Sequence, residues 1–336
     1  MENKNHLSGL DALRGFASFV IAFFWHYQSF GIKGSESPLY GIFPVFYDRG
    51  WIGVEFFFIL SGFIFSYVYS DRINLNGKEE LKSFVINRFS RLYPLHFFTL
   101  LIVAILVVAF GPFIFQANDL SYFFQNLLFV QYGWFSQTFS FNASTWSLSC
   151  EMLLYGLFFL ICYKFYNKRI FLYLTLIILG LFLKSSNLNA PILNVSMGRA
   201  FVCFPLGCLV YEITKISFSN AFLFKAVLLV IVSISIGFPF LFSWKSYGDW
   251  EFIFIFILFP SVITLFSKSK TIINFTDNSF CRYLGNLSFT IYLAHYPIQY
   301  LIWILNTKLS LDINFRSEKT FLSYAIITIV ISTIIW

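Results

Sequence analysis

Residues 10–28 read LDALRGFASFVIAFFWHYQ, an apolar run with Arg14 near one end and His26 near the other. In a helix rising about 1.5 Å per residue, the two lie roughly 18 Å apart, a good part of a hydrocarbon core about 30 Å thick. A histidine that deep in an apolar span marks a functional site by default, provided the chain resides in a membrane.

Composition meets that condition. Of 336 residues, 58% are hydrophobic and only 12% charged, and the mean hydropathy is +0.74. A soluble domain carries about twice that share of charge. The 48 phenylalanines suit a lipid-facing surface. Five cysteines have no metal-ligand spacing, and Cys150, Cys162, Cys203 and Cys208 lie in or beside apolar segments, so they read as reduced packing residues. The net charge of +7 is not clustered with aromatic platforms, which argues for membrane topology and against nucleic acid. The first segment is too long for a cleaved signal peptide, holds Arg14 and lacks a small-residue cleavage site.

Ten segments are expected to span: 10–29, 51–70, 93–115, 145–164, 169–183, 198–214, 221–242, 250–267, 286–306 and 320–336. Backbone polar groups in lipid must be satisfied internally, so the expected fold is an all-α integral membrane bundle. The aromatic stretch 118–135 is too short to cross and is expected to be interfacial or re-entrant. No repeat or soluble domain stands out, and residues 1–336 are expected to form one membrane-embedded domain. With both termini cytoplasmic, roughly two thirds of the 23 Lys and Arg residues fall on the cytoplasmic side, Lys4 among them; Lys245 falls outside. The long loop 116–145 has neither Lys nor Arg, which places it outside as well.

Each ionisable group at mid-bilayer costs about 2.5–3.5 kcal/mol, so such groups must face a partner or a watery cavity. Besides Arg14 and His26 there are four clusters. Glu55 near the outer end of the second segment is either a solvated interfacial carboxylate or part of a site. Arg88 and Arg91 share one face if their approach is helical. They serve positive-inside topology or the forked binding of phosphate. Ser147, Glu151 and Tyr155 recur every fourth residue behind Trp146, and a carboxylate so far inside a span is hard to explain as structure alone. Ser288, Tyr292, His295 and Gln299 form a stripe that is either a polar seam between helices or a site, with Pro297 free to kink the helix. Arg14, Arg88 and Arg91 fall at the cytoplasmic face, and His26, Glu55, Ser147 and Glu151 in the outer half. A ligand with a phosphate-rich head and a long arm, such as an acyl-coenzyme A, has the matching shape.

The motifs LDALRG with its following histidine, FFFILSGF, RFSRLYP, STWSLSCE and LGNLSFTIYLAHYP resemble, in order, those of the acyltransferase 3 family of multi-pass bacterial membrane O-acyltransferases. The resemblance covers nearly the whole chain. It implies transfer of an acyl group, commonly acetyl, from cytoplasmic acyl-CoA to a hydroxyl of an extracytoplasmic carbohydrate, in the bacterial cytoplasmic membrane and with no metal. Carried over by position, His26 is the catalytic histidine, Glu151 the acidic residue of the WSLS motif, and Arg14, Arg88 and Arg91 bind the donor. Glu55, Trp146, Ser147, Tyr292 and His295 are expected to contact substrate, and Glu151, or else Glu55, to orient the imidazole.

One spacing departs from the family pattern. Eleven residues, Gly15 to Trp25, separate Arg14 from His26 where ten are usual. At about 100° per residue the extra one turns His26 roughly 120° away. A single π-type bulge in the first helix would absorb it, or else Arg14 and His26 need not share a face, since they serve different levels; of the two the bulge is expected here. Two other readings use the same residues. A transporter of a small anion or glycan precursor predicts paired broken helices in repeated halves, which are not found. A non-catalytic scaffold leaves Glu151 and His26 without a purpose.

Overall fold

A computed structural model describes residues 7–186, 188–216, 221–241 and 249–336. Lys4, Lys245 and Phe242, the last residue of the seventh expected span, lie outside the described residues. The helices, in chain order, are α1 (Ser8–Phe30), α2 (Pro44–Asn76), α3 (Lys78–Phe110), α4 (Leu120–Leu127), α5 (Ala143–Lys164), α6 (Arg169–Ser185), α7 (Val195–Thr214), α8 (Ala221–Leu241), α9 (Trp250–Lys268), α10 (Lys270–Thr276), α11 (Ser279–Lys308) and α12 (Glu318–Ile335). Among the described residues the β structure amounts to an isolated bridge between Asn189 and Asn194.

Among the described residues every expected span falls on a helix, and seven helices, α1, α2, α3, α5, α7, α9 and α12, are long and apolar enough to cross a membrane. The third segment needs correction. Its helix starts at Lys78 and ends at Phe110, so Arg88 and Arg91 lie on the same helix as the span. At 33 residues it is about 50 Å long, more than a hydrocarbon core requires, and its first turns project beyond the core. The stretch 118–135 holds the short helix α4, capped by the Asp119 side chain and tied to α3 where His96 Nε2–H donates to the Asn126 carbonyl (2.8 Å).

α7 lies at the centre of the bundle, packed against α2, α5 and α6. Lipid offers helices no hydrophobic drive to associate, so close approach through small residues has to do that work. Gly62 on α2 faces the Phe204 carbonyl of α7, and Gly207 on α7 faces the Ile59 carbonyl, so a Cβ at either site would overlap backbone. α1 and α11 meet in the same way. A Cβ on Gly15 would come within 2.7 Å of Leu284 Cβ, and one on Gly285 would overlap Asp11.

The expected bulge is present. α1 is α-helical over Ser8–Phe19, π-helical over Val20–Trp25 and 3₁₀ over His26–Phe30, and it ends on Gly31 with φ +85°. One π turn takes up one extra residue, about 100° of rotation, which cancels most of the 120° offset. His26 is thereby returned to the α11 side of the helix. α11 has its own irregularity. Pro297 has no N–H to give the Leu293 carbonyl, and Asn142 Nδ2 donates to that oxygen instead (2.9 Å). The five cysteines are free, and Cys150, Cys162, Cys203 and Cys208 are buried.

The glycine contact between α1 and α11 generates a paired expectation. Gly285→Leu forces two spans apart and should cost about 1–3 kcal/mol. Gly156→Leu, where a Cβ meets nothing within 4 Å, should be silent. Thermal unfolding of the two variants in detergent, followed by tryptophan fluorescence, checks both.

Candidate active site

Two cavities lie along α1, Arg14 lining one and His26 the other. One, of about 110 Å³, is lined by Arg14 from α1, Ser61 and Phe65 from α2, Arg88 and Arg91 from α3, Ser147, Glu151 and Tyr155 from α5, and Ser288 and Tyr292 from α11. Residues from five separate motifs thus meet in one place. Arg14 Nη1 donates to Asp11 Oδ1 (2.9 Å), one turn back on its own helix. Arg88 Nη2 donates to Tyr69 Oη (2.9 Å), with its guanidinium carbon 4.8 Å from the Phe65 ring centre. Its Nε–H is buried with no partner among the described residues. Glu151 Oε2 accepts from Tyr155 Oη (2.6 Å), the residue four further along α5. At the far end the Ser147 hydroxyl lies 3.1 Å from Tyr292 Oη.

His26 is not in that cavity. It lines a wider vestibule of about 1000 Å³ at the opposite end of α1, with Trp25, Gln28, Lys33, Tyr40, Asp48 and Arg49 among the other walls. Its Nδ1 is 2.6 Å from Nε2 of the fully buried His295, and the two rings stack at 4.8 Å with 13° between their planes. The hydrogen-bond network fixes the tautomers. His295 Nδ1 is 3.2 Å from the Ile291 carbonyl, which can only accept, so Nδ1 carries the proton and Nε2 is an acceptor in the neutral ring. His26 Nδ1–H must then be the donor between the rings. The lone pair of His26 is left on Nε2. Gln299, one turn beyond His295, donates from Nε2 to the His26 carbonyl (2.9 Å) and anchors this end of α1 to α11.

This geometry corrects the expectation that Glu151 or Glu55 orients the imidazole, because His295 occupies that position. Glu151 faces the arginines instead. Glu55, fully buried, accepts at Oε1 from Arg199 Nε of α7 (2.5 Å). The Arg199 guanidinium in turn lies over Trp146 (4.7 Å) and Trp51 (5.4 Å). Glu55 and Trp146 therefore belong to an ion-pair cluster that lines neither cavity. Tyr292 stands between the two sites. It lines the inner cavity, and its ring centre is 6.1 Å from that of His295. Sequence reasoning missed Arg199 as the partner of Glu55 and His295 as the partner of His26. Position 295 is 269 residues from position 26, and no local spacing announces such a contact.

A polytopic helical protein with arginines and a carboxylate around one intramembrane cavity and a histidine pair at a second is the class that fold and site define. The sequence profile described as "Acyltransferase domain", that of the acyltransferase 3 family, matches residues 7–336, and the chain belongs to that family. A curated relative, acyltransferase MdmB of Streptomyces mycarofaciens, is 32% identical over 123 residues, or 35% of this chain. The matched stretch spans only 30% of that relative's length. No solved structure matches the chain.

The buried ion pair can be tested without reference to function. Removing one partner of a buried pair leaves an uncompensated charge and costs about 3–5 kcal/mol. Glu55→Gln and Arg199→Met should each lower stability by about the smaller figure, because the Arg199 side chain is 21% exposed. The double variant should recover part of the loss. Urea unfolding in mixed micelles, analysed as a double-mutant cycle, reads the coupling.

Proposed function

We propose that this protein is a membrane O-acyltransferase, and in particular an O-acetyltransferase, of the bacterial cytoplasmic membrane. In this reading ten helices of one domain cross the bilayer and both termini are cytoplasmic. Acyl-CoA enters from the end that carries Arg88 and Arg91, and the acceptor is a hydroxyl of an extracytoplasmic carbohydrate such as a surface polysaccharide. The observation that carries the proposal is the convergence of Arg14, Arg88, Arg91 and Glu151 on one cavity, with His26 Nε2 left as a base beside the other.

The phosphates of the donor meet the arginines, whose forked guanidinium groups suit them. The unpartnered Arg88 Nε–H is a donor waiting for such an acceptor. A cavity of about 110 Å³ is below the usual ligand-pocket range of about 300–1,000 Å³, so it takes the end of the pantetheine arm, and the nucleotide stays at the mouth. Glu151 enters on this donor side, as acceptor for an amide N–H of the arm. The thioester then advances past Ser147 and Tyr292, whose hydrogen bond separates to admit it.

The chemistry follows from the tautomers. The acceptor hydroxyl oxygen attacks the thioester carbonyl as His26 Nε2 takes its proton. The imidazolium so formed is held by its Nδ1–H bond to His295 Nε2, so His295 is a positioning residue that also stabilises charge. Collapse of the tetrahedral intermediate breaks the carbon–sulfur bond. The CoA thiolate leaves, the proton on Nε2 passes to it, and ester, free CoA and neutral His26 remain.

Acylation of the cell-surface glycan, measured by mass spectrometry in strains with matched protein levels, tests this. His26→Ala should lower the ester content about 100-fold or more, the usual range for loss of a general base, and Glu151→Ala should lower it by raising the acyl-CoA concentration needed. His295→Gln, whose amide oxygen can still accept from Nδ1, should keep more activity than His295→Leu and shift the pH profile. Undiminished product from both His26→Ala and Glu151→Ala would sink the mechanism.

A further inference from the structure

A third cavity, of about 380 Å³, lies on the other side of α1 from the arginine cavity. Leu13, Phe16, Ala17 and Val20 form its near wall, spaced i, i+3, i+4 and i+7 along one face of α1. Phe254 and Phe259 of α9 face them. Phe16 is 54% exposed and Ile236, on the rim from α8, is 51% exposed. On spanning helices such exposure means contact with lipid, so the groove opens sideways into the bilayer. Among the described residues Arg49 is its one charged wall residue, and Arg49 also lines the vestibule that holds His26.

An apolar groove and a polar vestibule therefore share a boundary at one cation, Arg49. From the shared Arg49 inward, the stripe Leu13–Val20 covers eight residues, about 10 Å of groove. The vestibule beyond Arg49 carries a second cation, Lys33, against one carboxylate, Asp48, beside the rings of Trp25 and Tyr40. Its volume of about 1000 Å³ is at the upper end for a bound small molecule, well beyond what a phospholipid head group needs. The order of surfaces matches one kind of amphiphile: an aliphatic chain, then an anion, then a bulky polar head.

We infer that the acyl acceptor is presented as a membrane-anchored glycolipid, its chain in the α1–α9 groove, the phosphate that joins chain to sugar at Arg49, and the sugar in the vestibule beside His26. This deepens the proposed function and rests on the reading of His26 as the base. A phosphate ester is the fitting linker because a guanidinium forks onto phosphate oxygens. Anchoring also has a kinetic use. A sugar held on a lipid in the same membrane reaches the vestibule by lateral diffusion, at an effective concentration set by the bilayer rather than by solution.

The probe is geranyl phosphate carrying a diazirine at the end of its chain, applied to the full chain in phosphatidylcholine vesicles, with labelled peptides mapped by mass spectrometry. Saturable labelling of 13–20 or 254–262 is expected, displaced by unlabelled geranyl phosphate and not by geraniol or inorganic phosphate at the same concentration. Arg49→Gln should weaken the apparent affinity about tenfold, with Arg49→Lys intermediate. Displacement by geraniol alone, or by phosphatidylglycerol as effectively as by geranyl phosphate, would show a site for bulk lipid and overturn the inference. So would labelling that Arg49→Gln leaves unchanged. The competition arms use the unaltered chain and do not depend on how the variant folds. His26→Ala should still be labelled, which separates failure of this inference from failure of the acyltransferase mechanism.

Discussion

The whole arrangement depends on how closely α1 and α11 can approach. Gly15 and Gly285 leave no room for a side chain at the crossing, so the two helices meet backbone to backbone near the end that holds Arg14. From there they run together until His26 reaches His295 and Gln299 reaches the His26 carbonyl. His295 and Gln299 are fully buried, so their side chains must find partners within the bundle, and His26 supplies one to each. The glycine contact sets the distance between the helices. The π segment sets the angle.

Most of the fold was legible in the sequence, because a bilayer imposes length and polarity on every span. The ten apolar segments correspond to helices, and the extra residue between Arg14 and His26 calls for the π turn over Val20–Trp25. The grouping of Arg14, Arg88 and Arg91 is legible as sidedness, but Ser147 and Glu151, expected in the outer half, line the same cavity as the arginines, a convergence that topology does not report. Nor does topology report which group touches which. Glu55 looked like a site carboxylate but pairs with Arg199, a residue that charge counting had treated only as a topological cation. His295 looked like a substrate contact but holds His26. Both partners escape the sequence for one reason. Spacing along one helix tells which residues share a face, and says nothing about which helix that face meets.

The start of α3 teaches a related point. Hydropathy placed its beginning near residue 93, where apolar residues take over, but the helix begins at Lys78. Helical hydrogen bonding has no reason to stop where the bilayer stops. The polar extension carries Arg88 and Arg91 on the same rigid rod as the span, three residues apart and therefore on one side. A loop would have left two arginines with more rotational freedom to lose on binding an anion.

One face of α11 serves both cavities. Ser288 and Tyr292 line the inner one, His295 holds the base of the outer one, and Gln299 fixes the backbone beside it. Pro297 lies within this stripe, and the carbonyl it frees at Leu293 is taken up by Asn142, just ahead of α5. The same helix pair, α5 and α11, supplies Ser147 and Tyr292, whose hydroxyls meet in the wall of the inner cavity. Under the proposed function the acyl group must pass that contact. A proline-interrupted ladder whose spare carbonyl is satisfied from the neighbouring helix is suited to it, because α5 and α11 can shift together without leaving a backbone group unpaired in lipid.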